Sequence, residues 1–539
     1  MSSYDYIVVG AGTAGSAIAS RLSEDPKKRV LLIEAGGSDR SFLIRMPLGF
    51  LKALTKPWFT WGYTTEPEPG LNGRVLPVPR GKLLGGSSSI NGMFHIRGHR
   101  LDYDEWRDAY GCTGWGYEDV LPYFKKSETN FRGETEYHGG SGPIQVREID
   151  TRTLLEDELR AAAKAAGLPE TEDYDGEEQY GYARGQVAIG PDGRRSSSAR
   201  GYLRPARGRA NLTVLTKAQA RRVVIEGGRA TGVEVEVNAQ RVVHTATEEV
   251  ILSGGAYGSP QLLMLSGIGP AEELKALGIT PVADLPGVGK NLMEHPRLAV
   301  MFEATKPVTL LNQLRLDRAV MNVLNWFFRG KGAFANQLSN GSIMVKTRPE
   351  LDRSDIQLLC SPIALTADLW FPGIKKPGKH AFYITTCLMR QESRGSVTLR
   401  SADPADKPVI RMNLLEAPED VRTLREALKV VRRIYRSEPQ AALTGTELIP
   451  GEQYQSDEEI ETMLRDNVAI THHPVGTCKM GVDEMAVVDP ELRVRGIAGL
   501  RVADASIMPR IVGGNTNAPT LMIAEKAADL IRGRTATPS

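Results

Sequence analysis

The run Thr471-His472-His473-Pro474-Val475-Gly476 holds the residue best suited to proton chemistry, His473. Imidazole changes charge near neutral pH, so a base working there is most often one of a chain's histidines, of which this chain has eight. Taken alone, the run fits a packed histidine pair before a proline turn as well as it fits a base. The other end of the chain shifts the balance. Gly10-Ala11-Gly12-Thr13-Ala14-Gly15 follows the apolar run Tyr4–Val9 and opens a segment of small residues, the context that a dinucleotide fingerprint requires. A nucleotide site tied to a distant base is the arrangement of an oxidoreductase.

Within the fingerprint, Gly10 permits the tight turn, Gly12 lets the backbone approach a pyrophosphate, and Gly15 allows close helix packing. The helix N-terminus at Thr13 and Ala14 then faces the phosphate charge. Glu34 ends the next strand, 24 residues after Gly10. A carboxylate there binds ribose hydroxyls and repels a 2′-phosphate. These features do not separate FAD from NAD. The stretch Gly81-Lys82-Leu83-Leu84-Gly85-Gly86-Ser87-Ser88-Ser89-Ile90-Asn91-Gly92 is too rich in glycine and serine to be core. Its N–H groups and hydroxyls can cradle a second part of a cofactor, the plainer alternative being a flexible surface loop. Of the other histidines, His138 and His295 read as structural, in a glycine turn and before Pro296. His95 and His99 flank the glycine–serine loop and are candidates to touch it. His244 and His380 read as surface or strand positions. His472 reads as pocket wall or a hydrogen-bond partner.

A chain of 539 residues exceeds one ordinary core, so two or more domains are expected. With 41% hydrophobic residues, 24% charged and a net charge of +2, nothing draws it electrostatically to nucleic acid. No apolar run reaches the roughly 20 residues of a membrane span. The first residues enter a strand directly, so no signal peptide is expected. The four cysteines, Cys112, Cys360, Cys387 and Cys478, form no CxxC pair, which argues against a metal site and a disulfide framework. A cytoplasmic setting follows as the default. Peripheral contact with the inner membrane stays open, because Trp326-Phe327-Phe328 and Leu369-Trp370-Phe371 are apolar clusters, though such clusters are most often core or pocket wall.

The elements that must position these residues are partly legible. Tyr4–Val9, the helix from Thr13 to Leu22 and Arg29–Glu34 form a βαβ unit. Residues 40–80 read as a Pro- and Gly-rich loop. Short helices are predicted over Asp102–Ala109 and Tyr117–Lys126, and a longer one from Arg152 to Ala166. The alternation from Leu212 to Val237 predicts antiparallel strands about a Gly227-Gly228 turn. A second strand-to-helix junction follows Val250-Ile251-Leu252, with Ser259 as N-cap and Pro260 in the first helical position. Further strands are predicted at Tyr383–Met389, Ser396–Leu399 and Leu500–Val502, and helices at Pro418–Tyr435, Asp457–Asp466 and Pro519–Ile531. There is no internal repeat.

Four motifs in order now carry a resemblance. These are the N-terminal fingerprint, the Gly81–Asn91 loop, the segment from Gly255-Ala256-Tyr257-Gly258-Ser259-Pro260 to Ser266-Gly267-Ile268-Gly269, and the block from His473 to Asn517. Together they resemble the glucose–methanol–choline (GMC) flavin oxidoreductases over nearly the whole chain, most nearly the choline dehydrogenase and medium- or long-chain alcohol dehydrogenase branch. The resemblance implies an α/β fold: a Rossmann-like FAD-binding domain with a discontinuous α+β substrate-binding domain built on an antiparallel sheet. The FAD-binding domain is expected to comprise residues 1–155, 200–305 and 470–539, and the substrate-binding domain 156–199 and 306–469.

The resemblance also assigns residues. Gly85 to Gly92, with Ser89, are expected along the pyrophosphate and flavin, and Asn91 near the isoalloxazine. Ala220 is expected to meet adenine, Asp504 and Ala505 the ribityl-phosphate region, and Asn517 the flavin edge. His473 matches the active-site histidine and Asn515 its second residue. Some relatives tether FAD through a histidine directly after the paired serines. Ile90 stands there, so FAD is expected to bind non-covalently. His473 can then take the hydroxyl proton of an alcohol while Asn515 donates to the developing alkoxide. The expected reaction is oxidation of a primary alcohol to an aldehyde, by a dehydrogenase or an oxidase. Hydroxynitrile lyases and a light-driven fatty-acid decarboxylase share the resemblance and are the rival readings. An anionic substrate would want arginines in the pocket, and choline a carboxylate and an aromatic box. The apolar clusters lean toward a neutral, partly apolar alcohol. The electron acceptor, whether oxygen, a quinone or a carrier, is not assigned.

Overall fold

The computed structural model describes residues 3–151 and 154–534. Its first layer is a seven-stranded sheet. Strand Ser3–Val9 runs parallel to Val30–Glu34 on one side and to the second half of Gln240–Leu252 on the other. Leu212–Thr216 extends it beyond Val30–Glu34, and Leu500–Val502 pairs with Val250–Leu252, both parallel. Ile7, Val8, Leu31, Leu32 and Ile251 are fully buried, as continuous apolar strands covered on both faces must be. The helices Thr13–Leu22 and Asn517–Ile531 pack together beside this sheet. The first half of Gln240–Leu252 turns to another task, pairing antiparallel with Arg229–Val237, which pairs in turn with Ala218–Glu226 across Gly227-Gly228. The hairpin turn is as expected. Leu212–Thr216 shares the alternation but joins the parallel strands instead.

The second layer is antiparallel, in the order Thr444–Ile449, Pro296–Ala304, Ala381–Leu388, Ile356–Ser361, Gly341–Val345, Gly181–Ala183, with Ala469–Ile470 also against Pro296–Ala304. Period-two alternation divides its faces. Leu298, Val300 and Phe302 are buried on the side of helix Pro418–Tyr435, where Phe302 stacks on Tyr435 at 5.0 Å. Arg297, Ala299 and Met301 face the other way. The helix supplies Val421, Leu424, Leu428, Val431 and Ile434 at helical spacing, and all five are buried. Pro296–Ala304 hydrogen-bonds into this sheet, so we propose that the division between domains falls before Pro296 rather than at residue 305.

Two local expectations are corrected. The helix after Leu252 begins at Gly255, not at Pro260, and Ser259 is no N-cap. Proline inside a helix leaves the carbonyl four residues earlier without its donor. Here that carbonyl, on Ala256, accepts from Thr477 Oγ1 at 2.7 Å, which lets the helix pass through Pro260. The helix predicted from Arg152 spans Glu156–Ala165; Arg152 and Thr153 lie outside the described residues. All four cysteines are free and buried.

Candidate active site

A cavity of about 820 Å³ lies between the C-terminal ends of the parallel strands and the open face of the antiparallel sheet. Val9, Ile33, Glu34 and Leu252 bring the parallel strands to its wall, and Arg297, Tyr383, Thr385, Leu359 and Ser361 bring the antiparallel face. Ligands in open α/β sheets bind in just this crevice.

At the nucleotide end, Gly10, Gly12, Thr13, Ala14 and Glu34 line the wall together. A Cβ on Gly12 would meet no atom within 4 Å, so the backbone is bare toward the cavity. Gly15 lies behind the wall, where a Cβ would stand 1.9 Å from the Gly10 carbonyl oxygen. Its role is packing. The Glu34 carboxylate accepts from the N–H groups of Ala11 (2.9 Å) and Gly36 (2.8 Å). Burial pushes its pKa up to about 7 against those two bonds. Each oxygen retains a lone pair for a ribose hydroxyl.

The glycine–serine loop is no flexible excursion. Gly85 N–H donates to the Ala11 carbonyl at 2.7 Å, and a Cβ on Gly86 would stand 2.7 Å from the Gly12 Cα. Asn91, Gly92 and Ser87 line the cavity, whereas Gly85 and Ser89 do not. Ser89 instead closes its own turn, donating to the Leu84 carbonyl at 2.8 Å. Asn91 Oδ1 accepts from Arg195 Nη1 (2.7 Å) and Met93 N–H (3.1 Å), and its amide nitrogen has no partner among the described residues. Arg195 escaped the sequence reading. It is buried without a carboxylate partner among the described residues, and desolvation brings its pKa down to about 9.

Ala220, Asp504, Ala505 and Asn517 also reach the wall. Asp504 accepts from Gly255 N–H (2.8 Å), Ser259 Oγ (2.6 Å) and Ser506 N–H (2.8 Å), fixing the helix that starts at Gly255. Thr13 Oγ1 donates to Asn517 Oδ1 at 3.0 Å, joining the first turns of the first and last helices.

Over this cavity stand His473 and Asn515, with His473 Nε2 3.0 Å from Asn515 Nδ2. The other ring nitrogen of His473, Nδ1, lies 3.1 Å from Nδ1 of His295. The pairings Pro296↔Ile470 and Met293↔Val475 bracket the two histidines and set them opposite each other. Glu294 Oε1 accepts from the backbone N–H of His473 at 2.6 Å and of His295 at 3.0 Å, locking both strands to one carboxyl. Burial raises Glu294 to about 7. His472 adopts φ 68°, a left-handed conformation costing a side chain roughly 1–2 kcal/mol. Arg80 Nη2 holds that turn by donating to the His472 carbonyl at 2.8 Å. His473 is held well below the usual imidazole range, by burial first and then by His295, Arg80 and His472.

His295 is thus a correction: read as a structural residue, it touches the candidate base. Its one visible signal was that His295-Pro296 echoes His473-Pro474. His95 and His99 go the other way. His95 Nε2 binds Glu128 at 2.7 Å in a buried network with Arg97 and His138, His99 caps helix Arg100–Tyr110, and neither lines the cavity. Of the apolar clusters, Leu369 alone reaches the cavity wall; Trp326 is buried elsewhere, and Phe327 and Phe328 are 53% and 76% exposed. The Trp326–Phe328 cluster therefore gives no support to an apolar substrate. No helix of the described residues is long and apolar enough to cross a membrane.

The GMC oxidoreductase family model matches residues 4–297 with its N-terminal part and 391–524 with its C-terminal part. An oxygen-dependent choline dehydrogenase of Rhizobium etli is 44% identical over 532 residues, 98% of this chain and 96% of that protein. One from Brucella anthropi is 43% identical over 533 residues, with 98% and 96% covered. Among solved structures, pyridoxine 4-oxidase from Mesorbium loti superposes with a TM-score of 0.88 at 32% identity, covering 99% of this chain and all of that one. A formate oxidase variant from Aspergillus oryzae, studied for FAD modification, gives 0.91 at 28% identity, covering 99% and 98%.

Proposed function

The chain belongs to the GMC oxidoreductase family and is an FAD-dependent enzyme acting on CH–OH donors, and from that premise we propose that it oxidises a primary alcohol to an aldehyde with His473 as base. The carrying observation is the contact between His473 and Asn515 on a cavity whose far end is the Gly10–Gly15 turn.

The cavity suits FAD. Gly12 offers bare backbone for a pyrophosphate, Glu34 an acceptor for ribose, Ala220 a wall for adenine, and Asn91, Ala505 and Asn517 line the flavin end. When bound, FAD supplies the two-electron acceptor for the carbinol carbon. The protein supplies the proton chemistry. Two facing Nδ1 atoms require one shared proton. His295 Nε2 is buried without a hydrogen-bond partner among the described residues, and for His473 to serve as the base the shared proton belongs on its own Nδ1. His473 then carries its proton on Nδ1 and donates it to His295, and its Nε2 lone pair, which accepts from Asn515 Nδ2 here, passes to the substrate hydroxyl when a substrate displaces that contact. Asn515 Nδ2 has a second hydrogen for the developing alkoxide.

FAD is held non-covalently in this reading. Ile90 lines the cavity where a tethering histidine stands in some relatives. Denaturation with acid should release all flavin to the supernatant; flavin retained on the chain counts against it. Choline is the first substrate the relatives suggest. Anaerobic addition of a panel of alcohols to the yellow holoprotein should bleach the flavin band, and a panel without any bleaching ends the alcohol reading.

We also assign the enzyme a peripheral membrane contact. Helix Leu316–Arg329 turns Val320, Met321, Leu324, Phe327 and Phe328 to solvent on one face, and Leu365, Leu369 and Ile374 stand exposed on the loop bonded to its start. Arg318, Arg329 and Lys376 are exposed beside the patch, while Arg315 and Lys375 pair with Asp317 and Asp368, and an apolar helix face with basic neighbours is the pattern of a helix lying on an anionic surface.

A further inference from the structure

We infer that the substrate carries a carboxylate, bound on the antiparallel sheet by Arg297 and Tyr383 while its hydroxyl faces His473. The inference rests on the alcohol-oxidation reading and names the substrate class within it.

Arg297 opens the strand Pro296–Ala304 on the cavity side of the sheet. Its Nε donates to the Ile470 carbonyl at 2.9 Å, three residues before His473, and its Nη1 donates to the Tyr383 hydroxyl at 3.2 Å. Nη2 has no partner among the described residues, and Arg297 forms no ion pair with a carboxylate. Tyr383 receives the arginine's hydrogen on its oxygen, so its own O–H remains to be donated. The hydroxyls of Ser361 and Thr385, on neighbouring strands of the same face, are likewise without partners there. An arginine fork beside a free hydroxyl donor matches the two oxygens of a carboxylate.

The surrounding charge agrees. Arg80 also lines the cavity without an ion pair among the described residues, and both arginines act on His472, lowering its pKa after burial has done so. His472 Nδ1 is buried without a partner. The nearest carboxyl, Glu294, lies behind the wall with one oxygen occupied by His473, His295 and Thr471. The remaining wall carboxylates are committed elsewhere: Glu34 and Asp504 to backbone N–H groups, Asp368 to Lys375, Asp406 to Ser401. A quaternary ammonium would therefore meet two guanidinium groups and no carboxylate at this end. An anion would meet Arg297, which has no ion pair among the described residues, and Arg80, which is offset only by the buried Glu294.

The test uses the FAD-loaded enzyme and three hydroxy acids, glycolate, 3-hydroxypropanoate and 4-hydroxybutanoate, beside their methyl esters and choline. Anaerobic flavin reduction should show kcat/KM roughly tenfold or more higher for at least one acid than for its ester and for choline. Arg297→Gln should lower the acid-to-ester ratio by about tenfold or more, and Arg297→Lys should restore part of it. Equal loss on acid and ester would reduce Arg297 to a prop for Ile470 and overturn the inference, as would a preference for choline. Propanoate, which has no hydroxyl to oxidise, provides a readout without turnover. It should perturb the flavin absorbance saturably in the wild type and far more weakly in Arg297→Gln. If propanoate binds in this way but no alcohol bleaches the flavin, the oxidation reading fails and the anion site stands. Bleaching by neutral alcohols without saturable propanoate binding defeats the anion site alone.

Discussion

His473 does its work through what surrounds it. Lowered proton affinity leaves its ring unprotonated at neutral pH, and protonation sets in only as pH falls well below the ordinary 6.5. The rate of flavin reduction should therefore stay level from neutral pH down past 6.5 before it declines. A half-maximal loss at 6.5 would mean that the base is not held as described. Glu294 is the neighbour that ionises near 7, and Glu294→Gln keeps its accepted hydrogen bonds. Any step near pH 7 should vanish in that variant. His295→Phe removes the acceptor for the His473 Nδ1 proton; flavin reduction should slow by about tenfold or more with FAD content unchanged. Asn515→Ala should cost about 100- to 1,000-fold, measured by stopped flow. The base and its amide partner were legible in the chain because a short histidine run and a Gly-Gly-Asn turn are local. His295 and Arg297 were not: they lie 178 and 173 residues from His473 and Ile470, and only strand pairing brings them there.

Among the elements, the strand–turn–helix of Gly10–Gly15 was the most readable, because its demands are steric and local. Gly15→Ala drives a methyl into the Gly10 carbonyl, and the purified variant should show a clearly lower ratio of flavin to protein absorbance. The helix at Gly255 was read five residues late because serine followed by proline is an ordinary helix start. The donor that makes an interior proline tolerable, Thr477, lies 221 residues from its acceptor. Thr477→Val leaves the Ala256 carbonyl unsatisfied in a fully buried site, and stability should fall by about 1–3 kcal/mol in denaturant unfolding. A change near zero would remove that account of Pro260. The parallel strands announced themselves as unbroken apolar runs. Leu212–Thr216 alternates and was grouped with the hairpin, since alternation reports half-burial and not direction.

The whole molecule sets a nucleotide crevice against a sheet that faces it with side chains from three strands, so substrate chemistry depends on a face assembled from distant sequence. That is why composition and motifs reached the family's reaction but the apolar clusters did not reach the substrate: Phe327 and Phe328 point outward, not into the cavity. Their exposure argues for a surface role. The wild type should float with vesicles containing anionic phosphatidylglycerol in a density gradient, and Phe327→Ser with Phe328→Ser should stay at the bottom. Equal flotation of both would dismiss the helix face as the contact.

The most direct measurement is anaerobic stopped-flow reduction of the His473→Ala enzyme at saturating substrate, with flavin content checked first. Full FAD occupancy with reduction slowed by about 100- to 10,000-fold is the predicted result. Reduction within a few-fold of wild type would contradict the assignment of His473 as the base.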